Sequence, residues 1–436
     1  MFGLFTTPDK QMRATAANWL ALADKVLCYR RDLLPPAELG DLQKKTETLR
    51  AQVAEKAGAE KLKLSIEALE PVLRATGGKH YPRTAMLDWV EFLVIGLIVI
   101  LAVRQFFFQP FQIPTNSMWP SYNGMVPEVH ATPADEPSST ARLLRSFTLG
   151  ASAYRIDAPI DGEILVLPTN VRTPATGRQW FVFPQPQYEY DLYVASATGI
   201  EKVPVSVPKD FDFSLVLRDT FAPRLANSQD IYNELLEKNG AFDQPMTNAY
   251  GQTVRVQFAR TGKHVRAGER VLSFDIISGD RLFVDRFSYH FVRPKIGSGF
   301  VFRTTNIPDT IDENRNHIES YYIKRLVGLP GDTLQVRPPM LYRNNAPITG
   351  AQAFADNNTR AGKYRGYINP DPLYGAKYLT SPKETHTVTK NGYWAMGDNS
   401  NNSADSRYWG EVPKKDVTGR PLWVFYPFGS HWGPPR

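Results

Sequence analysis

The chain has 436 residues, a formal net charge of +7 and a single cysteine, with 42% hydrophobic and 22% charged residues. This composition excludes wholesale disorder, and the length suffices for two or three folding units. The single cysteine excludes an intrachain disulfide framework and a cysteine-rich zinc site. The 51 basic and 44 acidic residues are too evenly balanced to indicate nucleic-acid binding, although a membrane surface suits them. The seven histidines never form HExxH or another tight ligand pair, so we predict no metal and no cofactor.

Residues 1–85 are polar and have the apolar periodicity of helices. Pro35 and Pro36 suit a first helical turn, and Gly58 suits a helix end. Apolar residues recur at spacings of three and four in two stripes, which places each stripe on one helix face. The stripes are Leu39, Leu42, Thr46, Leu49 and Val53, followed by Leu62, Ile66, Leu69 and Leu73. We predict a helical hairpin or short coiled coil whose stripes serve packing.

Residues 86–108 read MLDWVEFLVIGLIVILAVRQFFF. As a helix, Trp89 to Phe108 extends about 30 Å, which is the thickness of a bilayer core. The uncharged stretch from 92 to 103 would also suit a buried core helix or a secretory signal, but a cleavable signal does not begin 85 residues into a chain. We therefore predict one transmembrane helix over residues 86–108.

The charges that flank this segment predict its orientation. Arg74, Lys79 and Arg83 precede the uncharged stretch of the span (92–103), whereas Arg104 alone lies within the 20 residues after that stretch. Because basic residues stay on the cytoplasmic side, we predict a cytoplasmic N-terminus and an exported C-terminal region in contact with membrane lipid.

The sequence after the span is rich in short β-prone runs separated by turn residues. The runs include GEILVLP, YDLYV, TVRVQF, RLFVD, GFVFR and PLWVFY, and no repeat of 20 to 50 residues is present. We predict a mostly β fold, an antiparallel barrel or sandwich.

Three segments carry residues suited to chemistry. The first is FQPFQIPTNSMWPS (108–121), the second YYIKRLVGLPGDTLQV (321–336) and the third MGDNSNNSADSRYWGEVP (396–413). In this order they resemble the nucleophile, lysine and C-terminal boxes of the bacterial type I signal peptidases (leader peptidases), which are membrane-tethered serine proteases. SGDRLFVDRFSY (278–289) and the strand at GRPLWVFYPF (419–428) add to the resemblance. Each segment taken alone would suit a turn or a charged strand surface.

The resemblance implies that Ser117 is the nucleophile and Lys324 its general base. A hydroxyl needs a base, and without a well-placed histidine the candidates are lysine and carboxylates. Lysine serves only when neutral, and lowering its pKa by two units costs about 2.7 kcal/mol, which a dry pocket must supply. Strand alternation puts Lys324 and Arg325 on opposite faces, so we expect a buried lysine and a solvated arginine. An acid-base pair of carboxylates from the third box is the competing interpretation.

The family's supporting positions map onto further residues. The resemblance implies an oxyanion hole built from the Thr115 hydroxyl and the Ser117 backbone N–H. Asn116 stands where the family commonly has glycine, which leaves the geometry of this turn open. The resemblance implies that Ser403 orients the lysine. It also implies that Gly397 allows close approach of neighbouring groups, and that three charged residues give structural support: Asp398, Asp405 and Arg407.

Substrate preference also follows from the resemblance. The family cuts exported precursor proteins after signal peptides that carry small residues at the last and third-last positions, the A-x-A pattern. Shallow apolar pockets suffice for such residues. The resemblance implies that they are lined by Phe111, Ile113, Pro114, Met118 and Ile323.

The resulting organisation is a cytoplasmic helical region (1–85), a transmembrane helix (86–108) and an extracytoplasmic β-rich peptidase domain (109–436) in the bacterial plasma membrane. Two insertions, at about 122–270 and about 340–390, interrupt that domain. The larger one is predicted to be a β-rich subdomain that binds a protein partner or shields the cleft. A catalytically inactive β scaffold, tethered to the membrane and binding a partner through this insertion, is the alternative to an enzyme. One polar residue is retained in each of the three boxes, which favours an enzyme over a scaffold: Ser117, Lys324 and Ser403.

Overall fold

A computed structural model describes residues 8–82, 85–179, 183–197, 199–225, 228–247, 252–308, 310, 317 and 319–435. Arg83, one of the basic residues used to predict orientation, lies outside these residues. The chain divides into two compact units, Met1–Ala102 and Val103–Arg436.

The first unit is helical. Its helices are α1 (Pro8–Arg30), α2 (Pro36–Ala54), α3 (Ala59–Thr76) and most of α4 (Ala85–Phe106), which continues past the boundary at Ala102. The two predicted stripes supply the buried faces of α2 and α3, which confirms the helical hairpin. Ala16, Ala23 and Val26 of α1 enter the same core, so the hairpin is part of a packed group of three helices.

Helix α4 contains the predicted span. Among the described helices it is the one long and apolar enough to cross a membrane, over Trp89–Phe106, and none of this stretch is buried within the protein. Glu91, a charged residue near its start, forms an ion pair with Lys25 of α1 at 2.8 Å. The pairing reduces the cost of placing this carboxylate beside an apolar stretch.

The second unit is mostly β. Its strands are β1 (Phe108–Gln112), β2 (Val126–Val129), β3 (Ser152–Asp157), β4 (Gly162–Val166), β5 (Arg172–Gln179), β6 (Phe183–Ser196), β7 (Gly199–Pro208), β8 (Ala241–Thr247), β9 (Thr253–Val265), β10 (Arg270–Ile277), β11 (Arg281–Asp285), β12 (Gly299–Arg303), β13 (Tyr321–Gly328), β14 (Thr333–Arg337), β15 (Met340–Arg343), β16 (Ala346–Pro347), β17 (His386–Thr387), β18 (Gly392–Met396), β19 (Val412–Pro413) and β20 (Val417–Tyr426). Its helices are α5 (Ser139–Leu149), α6 (Ser214–Phe221), α7 (Ile231–Asn239), α8 (Gln352–Thr359) and α9 (Ser406–Trp409).

One seven-stranded sheet, in the order β1-β11-β20-β12-β13-β18-β19, joins the three chemical segments. All its pairings are antiparallel, which confirms the predicted mostly β, antiparallel fold. Strand β13 lies between β12 and β18, and its register sets Lys324 opposite Phe300 and Arg325 opposite Met396. The second chemical segment is thus held at the centre of the sheet, beside the start of the third.

The residues of the two predicted insertions form further sheets. Between 122 and 277, one sheet has the order β2-β10-β3 and another has the order β5-β6-β4-β9-β8, with β7 also paired to β6. Helices α6 and α7 pack on a core of aromatic and aliphatic residues from these strands. Strands β14 to β17 form a small sheet around 340–390, over a core that includes Leu341, Phe354 and Trp394.

Candidate active site

Ser117 and Lys324 are brought together by the fold although 207 positions separate them. Ser117 lies in a 3₁₀ turn, Asn116–Met118, directly after β1, and Lys324 lies on β13. The Lys324 Nζ is 2.5 Å from the Ser117 Oγ, and the two residues are only 5% and 8% exposed. An amine this close to a hydroxyl can accept its proton once the amine is neutral.

Burial favours that neutral form. Desolvation lowers the pKa of Lys324 from about 10.5 to about 8. The charges of Asp405 and Asp398 oppose this shift, whereas that of Arg407 adds to it. Among the described residues no carboxylate forms an ion pair with the ammonium, so desolvation prevails and a useful neutral fraction exists near pH 8.

Two carboxylates of the third segment are engaged by buried arginines. Asp398 accepts hydrogen bonds from Arg325 Nε at 2.7 Å and Nη2 at 2.5 Å. Asp405 accepts from Arg407 Nε and Nη2, both at 2.8 Å. Bidentate pairs of this kind fix the position of both carboxylates and occupy both of their oxygens. The geometry therefore favours support over the competing interpretation of an acid-base carboxylate pair.

The expectation that Arg325 is solvated is wrong, because the residue is only 1% exposed. Strand alternation exposes a side chain only where one sheet face is wet, and here both faces of β13 are covered. Arg325 donates to the Gly297 carbonyl at 2.6 Å and to the Ser121 Oγ at 3.1 Å, and Ser121 in turn donates to Asp398 at 2.5 Å. This network joins all three chemical segments, and sequence reasoning missed Arg325 and Ser121 as members.

Ser403 and Gly397 lie close to the nucleophile. A side chain at Gly397 would collide with the Ser117 carbonyl and the Ser403 Oγ, which explains the glycine. The Ser403 hydroxyl is buried and has no hydrogen-bond partner among the described residues. The predicted hydrogen bond from Ser403 to Lys324 is therefore absent, since the amine points at Ser117, and an orienting role for Ser403 stays a prediction.

Asn116 fits the nucleophile turn in place of glycine. Its backbone is not left-handed, and its side-chain amide donates to the Met125 carbonyl at 2.9 Å while accepting from the Gly124 N–H at 3.0 Å. Asn399 of the third segment donates its side-chain amide to the Asn116 carbonyl at 3.0 Å and its backbone N–H to the Ser117 carbonyl at 3.1 Å. These bonds fix the turn that carries Ser117.

Thr115 has an extended backbone and an exposed side chain that lines the cleft beside Ser117. Its hydroxyl and the Ser117 N–H belong to the same short segment. They are the two groups that the sequence predicts as the oxyanion hole, and that role stays a prediction.

A cleft of about 1040 Å³ opens onto the reactive pair. Phe111, Ile113, Pro114 and Ile323, four of the five residues that the resemblance assigns to substrate pockets, line it, and their role in binding stays a prediction. Met118 does not line the cleft, because its side chain is fully buried in the apolar core. Sequence reasoning also missed a set of lining residues from the large insertion, for which no local pattern gives a signal. They are Pro174, Ala175, Pro186, Gln187, Tyr188, Lys209 and Asp210. Among the described residues no group of three metal-ligating side chains could hold an ion.

Comparison with known proteins gives similarity to one family. The family described as "Signal peptidase, peptidase S26" matches residues 270–426, which include Lys324 and the third segment and begin after Ser117. The Synechocystis protein "Probable signal peptidase I-1" is 32% identical over 155 residues, 36% of this chain and 66% of the relative. "Signal peptidase I" of Leptolyngbya laminosa is 32% identical over 158 residues, again 36% and 66%.

Two further matches are shorter or structural. "Signal peptidase I S" of Bacillus subtilis is 34% identical over 116 residues, 26% of this chain and 57% of the relative. A crystal structure of a signal peptidase I from Enterococcus faecalis has 29% sequence identity and a TM-score of 0.21, and covers 30% of this chain and 97% of that one. This chain thus matches about 66% of the length of the first two relatives.

Proposed function

Because this chain belongs to the signal peptidase I family, peptidase S26, we propose that it is a membrane-anchored serine endopeptidase that removes signal peptides from exported precursor proteins. The observation that carries the proposal is the 2.5 Å approach of the Lys324 amine to the Ser117 hydroxyl, inside a cleft that a peptide could enter. A tethered scaffold without catalysis has no use for a buried amine held against a serine.

The geometry supports the following reaction. Neutral Lys324 takes the proton of the Ser117 hydroxyl as its Oγ attacks the scissile carbonyl, and the oxyanion of the tetrahedral intermediate accepts hydrogen bonds from Thr115 and the Ser117 N–H. The ammonium then gives its proton to the leaving amine, so the signal peptide stays as an ester on Ser117. A water, deprotonated by the same amine, hydrolyses that ester and restores the enzyme.

The cleft suits a cut after small residues. Phe111, Ile113, Pro114 and Ile323 offer apolar lining beside the nucleophile, which suits the apolar side chain of alanine at the last and third-last positions before the bond. The direct test is to incubate the detergent-solubilised full chain with a precursor whose signal ends in A-x-A and to map the new N-terminus. We expect one cut, directly after the second alanine. A precursor left intact would favour the non-catalytic scaffold.

We propose a bacterial plasma-membrane location with a cytoplasmic N-terminus and an outward-facing catalytic domain. The support is the apolar, unburied helix α4 and the basic residues before it. Protease added to right-side-out vesicles should digest the region after residue 110 and spare residues 1–85, as read by antibodies to each end. Protection of the C-terminal region would contradict this topology.

Replacing Thr115 with valine should lower kcat by about 10²-fold to 10³-fold, because one oxyanion donor is lost with little change in volume. Thr148→Val on helix α5 is a matched control, since that hydroxyl donates to the Leu144 carbonyl of its own helix and the residue does not line the cleft. Thermal unfolding of both variants should match the wild type. An unchanged kcat in Thr115→Val would assign the oxyanion hole to backbone donors alone.

A further inference from the structure

The large insertion lines the same cleft as the reactive pair. Three of its segments do so: Pro174 and Ala175 on β5, Pro186 to Tyr188 on β6, and Lys209 with Asp210 directly after β7. These segments are close together because β6 pairs with both β5 and β7. The Lys209 N–H also donates to the Pro186 carbonyl at 3.1 Å. The insertion thus offers one continuous surface to the cleft.

This surface is hydrogen-bonded to the third chemical segment. Asp212, two residues beyond Asp210, accepts a hydrogen bond from the side chain of Asn402 and another from the Ser214 N–H at 3.1 Å. Asn402 belongs to the third chemical segment and itself lines the cleft. On either side of Asp212, Phe211 and Phe213 are buried in the insertion core. The turn that carries Lys209 and Asp210 is therefore fixed relative to the nucleophile.

The cleft is also bordered by two unpaired strand edges. Strand β1 is the terminal strand of the seven-stranded sheet, and β5 is the terminal strand of the insertion sheet, among the described strands. Phe111 and Gln112 of β1 and Pro174 and Ala175 of β5 all line the cleft. Exposed strand edges are ready to pair with an extended peptide.

We propose that the insertion is a second wall of the substrate cleft and contacts the stretch of signal peptide that precedes the A-x-A residues, selecting it by size and charge. The inference rests on the proposed function. We assign this contact to the stretch before the cut for one reason. The apolar residues proposed to bind the A-x-A side chains, which also precede the cut, line the same cleft as the insertion. The wall is nearly neutral, since its lining residues are one lysine, one aspartate, two prolines, an alanine, a glutamine and a tyrosine, which fits an uncharged extended chain.

The size requirement is tested by placing a large side chain on the surface of the insertion that lines the cleft. Ala175→Trp places a large ring where β5 lines the cleft, and Thr176→Trp places the same ring on an exposed neighbouring position of β5 that does not line it. We measure kcat/KM for a full precursor and for a short peptide that begins at A-x-A. Ala175→Trp should lower the ratio of precursor to short peptide by at least about fivefold, because the ring occupies space that only the longer substrate needs. Thr176→Trp should leave the ratio unchanged.

The charge requirement is tested at the exposed Asp210, where misfolding is not a concern. Asp210→Lys should shift preference by about two- to fivefold from precursors with a lysine before A-x-A toward those with an aspartate there. Asp243→Lys, on a part of the insertion outside the cleft, should not. Equal ratios in every variant, with a wild type that cleaves all precursors, would overturn the inference. A wild type that cleaves none would instead overturn the proposed function.

Discussion

Lys324→Arg should abolish precursor cleavage to the same extent as Ser117→Ala, a loss of at least about 10³-fold. Arginine keeps the positive charge but does not deprotonate in proteins, so the base is lost. Because base and nucleophile act as a unit, the double variant should resemble either single one. The measurement is kcat/KM on an A-x-A precursor. Lys238→Arg, on the exposed surface of α7, is the matched control and should retain full activity.

A second variant at the same position separates loss of the base from misfolding. Lys324→Met removes an amine that the folded protein holds with a pKa of about 8. Below pH 8 this depressed pKa lowers the free energy of unfolding of the wild type, because the amine is easier to protonate in the unfolded chain. The effect disappears as the pH rises toward the unfolded pKa near 10.5. The variant should therefore be inactive but more stable than wild type by about 3 kcal/mol at pH 7. An active Lys324→Arg or Lys324→Met enzyme would contradict the assignment.

Asp398→Ala should destabilise the protein by about 3–5 kcal/mol, because it leaves the Arg325 guanidinium buried without its counter-charge. Both side chains of this pair are at most 2% exposed. The same change at an exposed pair, Asp243→Ala beside Arg255, should cost less than about 1 kcal/mol and serves as the control. Denaturant unfolding measures both losses. A loss below about 1 kcal/mol in Asp398→Ala would show that the network does not hold the three segments together.

The sequence predicts what depends on local pattern. The apolar stripes of α2 and α3 and the long apolar stretch of α4 follow from periodicity and length. The sequence pattern does not predict helix α1 as a separate element, because two of its three buried residues are alanines, Ala16 and Ala23, which give a weak apolar stripe. The β-rich class of the second unit follows in the same way from short runs bounded by turn residues.

Local sequence pattern does not predict contacts between segments that are far apart in the chain. The approach of Ser117 to Lys324 came from resemblance alone, since 207 positions separate them. Arg325 was placed in solvent because alternation does not reveal that β13 is central and covered on both faces. The lining by Ala175 and Asp210 depends on how the insertion packs beside β13, which no single segment encodes. Whether the Ser403 hydroxyl has a hydrogen-bond partner likewise depends on the packing around it, which resemblance does not reveal.

The measurement that tests the central claim most directly is the dependence of kcat/KM on pH, with an A-x-A precursor as substrate. Only neutral Lys324 can accept the Ser117 proton, so activity should rise with pH through an apparent pKa near 8 and then level off. Thr115→Val should lower the plateau without moving this rise, because it removes an oxyanion donor and leaves the base in place. Full activity well below pH 7, with no rise near pH 8, would instead point to a carboxylate such as Asp398 or Asp405 as the base, and would contradict the Ser117–Lys324 mechanism.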